Sequence, residues 1–323
     1  MTEITVPTQK KLVLLSGRSH PALASSVAEH LGVPLSPTSA YEFANGEIFV
    51  RFEQSVRGCD AFVLQSHTIP INTAIMEQLI MVDALKRASA KCITVVAPFY
   101  GYARQDKKHR GREPISARLM SDLFKTAGAD RLMSVDLHTA QIQGFFDGPV
   151  DHLFALPLLA DAVRNLADPE KITVVSPDAG RVRVAEKWTD VLGAPLAIIH
   201  KRRDPDVPNE VRVFEVVGDV QDRVCIVVDD MIDTGGTIAK AAETLYENGA
   251  SDVIVTATHG ILSPPAAERL QASRISKVIV TDTLPIREES MFDKLEVVSI
   301  APILAKAITE VFTDGSVTSM FDA

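Results

Sequence analysis

Cysteine is scarce in this chain, with 3 in 323 residues, at Cys59, Cys92 and Cys225. The number is odd and the spacing wide, so neither a disulfide framework nor a CxxC metal site can be drawn. Cys225 lies inside an apolar run and reads as a small core residue. No apolar stretch approaches the length of a membrane span. Met1 to Lys11 has no apolar signal core. A soluble, cytoplasmic protein with no membrane partner is therefore expected. A basic surplus is also lacking, because 33 Lys and Arg face 42 Asp and Glu, for a formal charge of −9. Nucleic-acid binders usually carry the opposite balance, so no nucleic-acid partner is expected. The phosphate-loop pattern GxxxxGK[ST] is absent, and no nucleophilic triad is evident.

What is present is ordinary globular material. Hydrophobic residues make up 46% and charged residues 23%, enough for packed cores. At about 100–200 residues per domain, the length suggests two domains. Leu12–Leu15, Phe62–Leu64, Ile93–Ala97, Ile172–Val175, Val224–Val228 and Val253–Thr256 are apolar without alternation. Parallel strands covered on both faces have this pattern. Between the last two, Ile238, Ala241, Ala242 and Leu245 mark one helix face, and Gly249 is placed to end that helix. Leu85–Ala97 and Leu245–Ala257 share one helix-then-strand pattern. The expected fold is α/β, with two similar domains in tandem and largely parallel sheets. The boundary is expected near Gly148–Leu153. Gly101–Pro114 and Lys201–Glu210 are polar and read as exposed loops.

Val224–Thr237, VCIVVDDMIDTGGT, carries the most chemistry. An apolar strand ends in Asp229 and Asp230. The run Asp233-Thr234-Gly235-Gly236-Thr237 then opens a helix. Glycines let a backbone approach an anion without Cβ clashes. The first free N–H groups of a helix favour phosphate. Thr234 and Thr237 add hydroxyl donors, and a strand-end carboxylate can accept from ribose hydroxyls. Such a site lies where open α/β sheets bind ligands. An ordinary strand-to-helix turn with solvated carboxylates is the alternative. The acidic pair together with DTGGT favours the phosphate and ribose of a 5-phosphorylated sugar.

This segment resembles the phosphoribosyl diphosphate-binding motif of the phosphoribosyltransferase fold. Other segments narrow the choice: Phe43-Ala44-Asn45-Gly46-Glu47, Tyr102-Ala103-Arg104-Gln105-Asp106, Ser134–His138 with Gln141–Phe146, Ser176-Pro177-Asp178 and Lys201-Arg202-Arg203. In this order they resemble the ribose-phosphate diphosphokinases, the phosphoribosyl diphosphate synthetases, of the bacterial phosphate-activated class. The likeness runs from about Lys11 to Phe321.

The resemblance implies two phosphoribosyltransferase-like domains. Residues 8–150 would carry the ATP-binding loops, 151–303 the ribose 5-phosphate site, and 304–323 a C-terminal helix and tail. ATP's β,γ-diphosphoryl group would move to the C1 hydroxyl of ribose 5-phosphate, with AMP leaving. The family's roles map onto Phe43, Asn45, Gly46, Glu47, Arg104 and Gln105 for ATP. Arg203, Asp229, Asp233, Thr234, Gly235, Gly236 and Thr237 take ribose 5-phosphate. Lys201 and Arg203 form the cationic clamp, and His138 and Asp178 hold magnesium. Taken singly, Phe43 reads equally as core, His138 as a helix-entry histidine and the Lys-Arg-Arg run as a solvated turn. A homo-oligomer, typically a hexamer, is also implied, with the Phe43 loop reaching a neighbouring subunit. So are activation by inorganic phosphate and regulation by ADP, with Ser55, Arg57 and Ser316 where the family places such contacts.

Three features depart from the family pattern. Asp178-Ala179-Gly180-Arg181 stands where Asp-x-Gly-Gly is usual. His200 replaces an acidic residue, and the loop after Arg203 is longer. Two rival readings follow from the fold: a phosphoribosyltransferase, which consumes the diphosphate, and a non-catalytic regulatory relative of the synthetase.

Overall fold

The structure is a computed structural model that describes residues 10–203 and 212–321. Two compact units divide the chain, 1–153 with 301–323, and 154–300.

The first unit runs β1 (Leu12–Ser16), α1 (Pro21–Leu31), β2 (Thr38–Glu42), β3 (Ile48–Phe52), β4 (Asp60–Leu64), α2 (Ile71–Arg87), β5 (Cys92–Ala97), α3 (Ser116–Ala127), β6 (Arg131–Val135) and β7 (Val150–Leu153). Its parallel sheet has the order β1-β4-β5-β6-β7. Leu15, Val63, Val95 and Leu132 from these strands pack with Met81, Leu85 and Phe124 of the helices, all buried. The strands β2 and β3 stand apart as an antiparallel hairpin.

The second unit runs α4 (Leu156–Arg164), β8 (Ile172–Ser176), α5 (Val182–Leu192), β9 (Leu196–Arg203), β10 (Arg212–Val217), β11 (Val224–Ile232), α6 (Gly236–Glu247), β12 (Asp252–Gly260), α7 (Ala266–Ala272), β13 (Lys277–Thr281) and β14 (Leu295–Val298). The sheet order is β10-β9-β8-β11-β12-β13-β14. Only the β9–β10 pair is antiparallel. Ile238, Ala241, Ala242 and Leu245 are buried along α6, as their spacing requires. Gly249 follows that helix at a φ of 90°, which only glycine adopts freely.

The internal repeat is visible in the topology. The order β8-β11-β12-β13-β14 repeats β1-β4-β5-β6-β7, and a two-stranded excursion follows the first strand in both units. Finally, α8 (Ala301–Phe312) packs on α1 in the first unit. Lys10 Nζ donates to Phe312 O at 2.9 Å, which ties the start of the described chain to its end.

Two local expectations need correction. The strand expected to stop at Val228 continues to Ile232, because the ladder with β12 resumes at Met231–His259 and Ile232–Gly260. Asp229 and Asp230 therefore lie within β11. Lys201–Arg203 was expected in a loop but forms the end of β9, with Arg203 opposite Arg212 and Lys201 opposite Phe214 on β10.

Candidate active site

At the end of β11, three residues turn the chain into α6. Gly235 takes a left-handed φ of 69° as the N-cap, and no side chain caps the helix. The first amides of α6 therefore lack an intrahelical acceptor and face the turn with the positive end of the helix dipole. Thr234 and Thr237 are exposed beside them. The turn is braced from behind. Arg269 of α7 donates from Nη1 to Thr234 O at 2.5 Å. A β-carbon at position 235 would stand 3.1 Å from Leu270 Cγ. This concave turn of backbone donors suits a phosphate.

Beside it are the carboxylates of β11. The Asp230 N–H donates to Asp229 Oδ1 at 2.8 Å. Arg181, in the short turn after β8, spans both groups, with Nε 3.3 Å from Asp229 and Nη2 2.6 Å from Asp230. Burial pushes Asp229 well above the ordinary carboxylate range, and the charge of Asp230 adds to this. Arg181 pulls the other way. Asp178 starts the same turn, with Oδ1 accepting from Gly180 N at 2.9 Å. Sheet order sets β9, β8 and β11 side by side. The last rung between β8 and β9 is Ser176–Ile198, so β9 runs on through Lys201 to Arg203 beyond it. The side chains of Lys201 and Arg203 lie outside the described residues.

The first unit holds the other expected residues. Phe43–Glu47 form the hairpin tip. Phe43 N donates to Glu47 O and Gly46 N to Phe43 O, both at 2.8 Å. Asn45 Oδ1 accepts from Glu47 N at 3.2 Å. Phe43 is 47% exposed, which removes the core alternative. Its ring meets Tyr41 edge-on at 5.4 Å. Arg18 anchors the hairpin by joining Glu42 of β2 to the buried Glu77 of α2.

Arg104 and Gln105 follow β5. Arg104 is exposed, whereas the Gln105 side chain accepts from Ser116 Oγ at 2.6 Å, at the start of α3. Gln105 thus already has a role in holding α3. The buried Asp106 accepts from Thr139 Oγ1 and Gln141 Nε2, each at 2.8 Å. It ties the basic loop to the segment that carries the half-buried His138. Leu137 N donates to His152 Nε2 at 2.9 Å on the other side of that histidine.

Sequence reasoning missed several supports: Arg269, His67 and the role of Asp106, although Asp106 stood inside a quoted motif. Their partners are far apart in sequence, and nothing local marks them. His67 is fully buried. Its Nδ1 accepts from Gly101 N at 2.8 Å, where the basic loop begins, and its Nε2 meets Gln78 Oε1 at 2.8 Å. Burial pushes its pKa down to about 4, only partly offset by the Gln78 bond. In the unfolded chain the imidazole takes its proton near 6.5. Between these values only the unfolded chain holds the proton, so stability is full above pH 6.5 and falls toward pH 4. The loss is roughly 3 kcal/mol at most. We expect His67→Asn to flatten this acid slope, measured by denaturant melts between neutral pH and about pH 4.5. An unchanged slope would remove His67 as its source.

A family model described as the N-terminal domain of ribose phosphate pyrophosphokinase matches residues 12–128. A second, the phosphoribosyl synthetase-associated domain, matches residues 205–322. The chain is 67% identical over 322 residues to a ribose-phosphate pyrophosphokinase of Streptomyces coelicolor, covering 100% of this chain and 99% of that protein. The chain belongs to the ribose-phosphate pyrophosphokinase family. It is an enzyme of that family. The Mycobacterium leprae ribose-phosphate pyrophosphokinase is 63% identical over 315 residues, covering 97% of this chain and 96% of its own. The crystal structure of phosphoribosylpyrophosphate synthetase from Mycobacterium smegmatis superposes with a TM-score of 0.90 at 62% identity. It covers 95% of this chain and 100% of that one.

Proposed function

We propose that this chain transfers the β,γ-diphosphoryl group of ATP to the C1 hydroxyl of ribose 5-phosphate. The observation that carries the reading is the β11–α6 turn, an uncapped helix start beside two carboxylates at the carboxyl end of parallel strands. The 5-phosphate sits on the amides of Gly235–Thr237 and the hydroxyls of Thr234 and Thr237. The ribose hydroxyls donate to Asp229. Asp233 stands at the mouth of the loop. The first unit takes ATP, with Phe43 stacking on the base and Asn45, Gly46 and Glu47 reading its edges and sugar. Arg104 holds phosphate oxygens, since its guanidinium suits them. Gln105 contributes from the same turn.

The C1 oxygen bonds to the β-phosphorus as the bond from that phosphorus to the AMP oxygen breaks, and the hydroxyl proton leaves. The substrate supplies the nucleophile, so the protein's task is positioning and charge stabilisation. Lys201 and Arg203 stabilise charge on the moving group. Among the described residues, no three of His, Cys, Asp and Glu gather as a metal cluster. Magnesium keeps most of its waters and is shared with substrate phosphates, so few protein ligands are needed. Asp178 is the better-suited oxygen donor to hold it, and His138 is the other candidate the resemblance implies. Bound there, the ion neutralises phosphate charge.

A homo-oligomer, up to a hexamer, in which the Phe43 hairpin meets a neighbouring subunit belongs to this reading. The half-exposed rings of Tyr41 and Phe43 support it. Phosphate activation and a cytoplasmic location belong to it as well. Among the described residues, no helix is long and apolar enough to cross a membrane.

The test mixes the purified chain with ATP, magnesium, phosphate and ribose 5-phosphate, and follows products by chromatography. AMP and phosphoribosyl diphosphate are expected in equal amounts, with no nucleobase present. Absence of AMP from folded protein that binds ribose 5-phosphate would overturn the reading.

A further inference from the structure

The turn after β8 carries an arginine that no role above requires. Arg181 closes the short turn opened by Asp178, and its guanidinium lies across the two β11 carboxylates. The contact is largely sealed from water, with side-chain exposures of 16% for Arg181, 18% for Asp229 and 6% for Asp230. Two adjacent carboxylates in such a place repel each other and resist losing their hydration. A planar guanidinium can meet both at once through separate nitrogens, as Nε and Nη2 do here. The contact also joins two chain segments, because Arg181 belongs to the same turn as Asp178.

We propose that Arg181 is a positioning residue for ribose 5-phosphate, fixing the aim of the Asp229–Asp230 pair toward the sugar hydroxyls. This rests on the reading that β11 and the Gly235 turn bind ribose 5-phosphate. The guanidinium contacts both carboxylates, through Nε to Asp229 and Nη2 to Asp230, so Asp229 is held in one orientation before the sugar arrives. Removing the fork leaves two buried carboxylates without their shared cation. They then rotate or take up a proton, and either change weakens acceptance from the sugar. Arg181 is outside the proposed ATP-binding set. Its loss is therefore expected to fall more heavily on ribose 5-phosphate than on ATP, which it could reach only through Asp178 of the same turn.

The test compares the full-length chain with R181G and R181K, after thermal melts establish that each is folded. Steady-state KM values for ribose 5-phosphate and for ATP are measured, with calorimetric binding of ribose 5-phosphate alone. R181G should raise the ribose 5-phosphate KM and Kd by roughly 10–100-fold, the scale for misaligned positioning groups. Its ATP KM should rise clearly less than its ribose 5-phosphate KM. R181K keeps the charge without the planar fork and should fall between wild type and R181G. If R181G does not fold, R181K alone reads the effect. An unchanged or tighter ribose 5-phosphate affinity in the folded variants overturns the proposal, as does an equal rise in both KM values. If D229N weakens ribose 5-phosphate while the Arg181 variants do not, the positioning role fails and the site stands. If the wild type itself does not bind ribose 5-phosphate, the site reading fails and the proposal falls with it.

Discussion

Replacing Lys201 by Ala should lower kcat by about 10²–10³, the scale for losing one electrostatic donor to a transition state. The reaction gathers negative charge on a diphosphoryl group moving between two oxygens, and no protein nucleophile shares the load. A cation that meets that group only in transit changes kcat more than KM. Position supports this role for Lys201. The strand β9 carries it past the last rung with β8, toward the same sheet end as Asp178 and the β11 carboxylates. Initial-rate measurements at saturating ATP and ribose 5-phosphate give the answer directly. A near-normal kcat would remove Lys201 from the clamp. A raised KM with kcat intact would make it a binding group instead.

Gly235→Val is expected to raise the ribose 5-phosphate KM by about 10²-fold. Position 235 has a φ of 69°, which costs a side-chain-bearing residue roughly 1–2 kcal/mol. The new β-carbon would also lie 3.1 Å from Leu270 Cγ, so α7 or the turn must shift, at about 1–3 kcal/mol. Together these reach about 3 kcal/mol, or two powers of ten in affinity. The free turn relaxes out of this strained shape and binding must restore it, so the loss should appear in sugar-phosphate binding. Calorimetry with ribose 5-phosphate, alongside a thermal melt, measures it. Wild-type binding by this variant would show that the turn does not carry the phosphate.

The six buried strands expected from apolar runs are all present, because a parallel strand covered on both faces leaves a local record. The acidic pair with DTGGT was legible for the same reason, since strand, turn and helix start are contiguous. Strand ends were less readable. Asp229 and Asp230 look like terminators, yet β12 supplies partners beyond them. The Lys201–Arg203 run looks like a solvated turn, yet β10 gives its backbone a ladder. Arg181 was noticed only as a departure from a glycine. Its partners lie some fifty residues away, and only the β8–β11 pairing brings them together. Likewise His67 reads as one more polar residue after a strand. Its function in holding Gly101 depends on Gln78 one helix later.

The return of α8 to the first unit has a consequence for synthesis on the ribosome. Leu23, Ala24, Val27 and Ala28 of α1 are buried in the finished unit, as are Leu304, Ala305 and Ile308 of the helix that packs on α1. A nascent chain makes α1 well before α8, with the whole of the second unit between them. At about 5–20 residues per second, the apolar face of α1 waits on the order of ten seconds or more for its partner. The second unit is complete before the first can close. Its sequence emerges as one uninterrupted block, whereas the first unit lacks α8 until that block has been made.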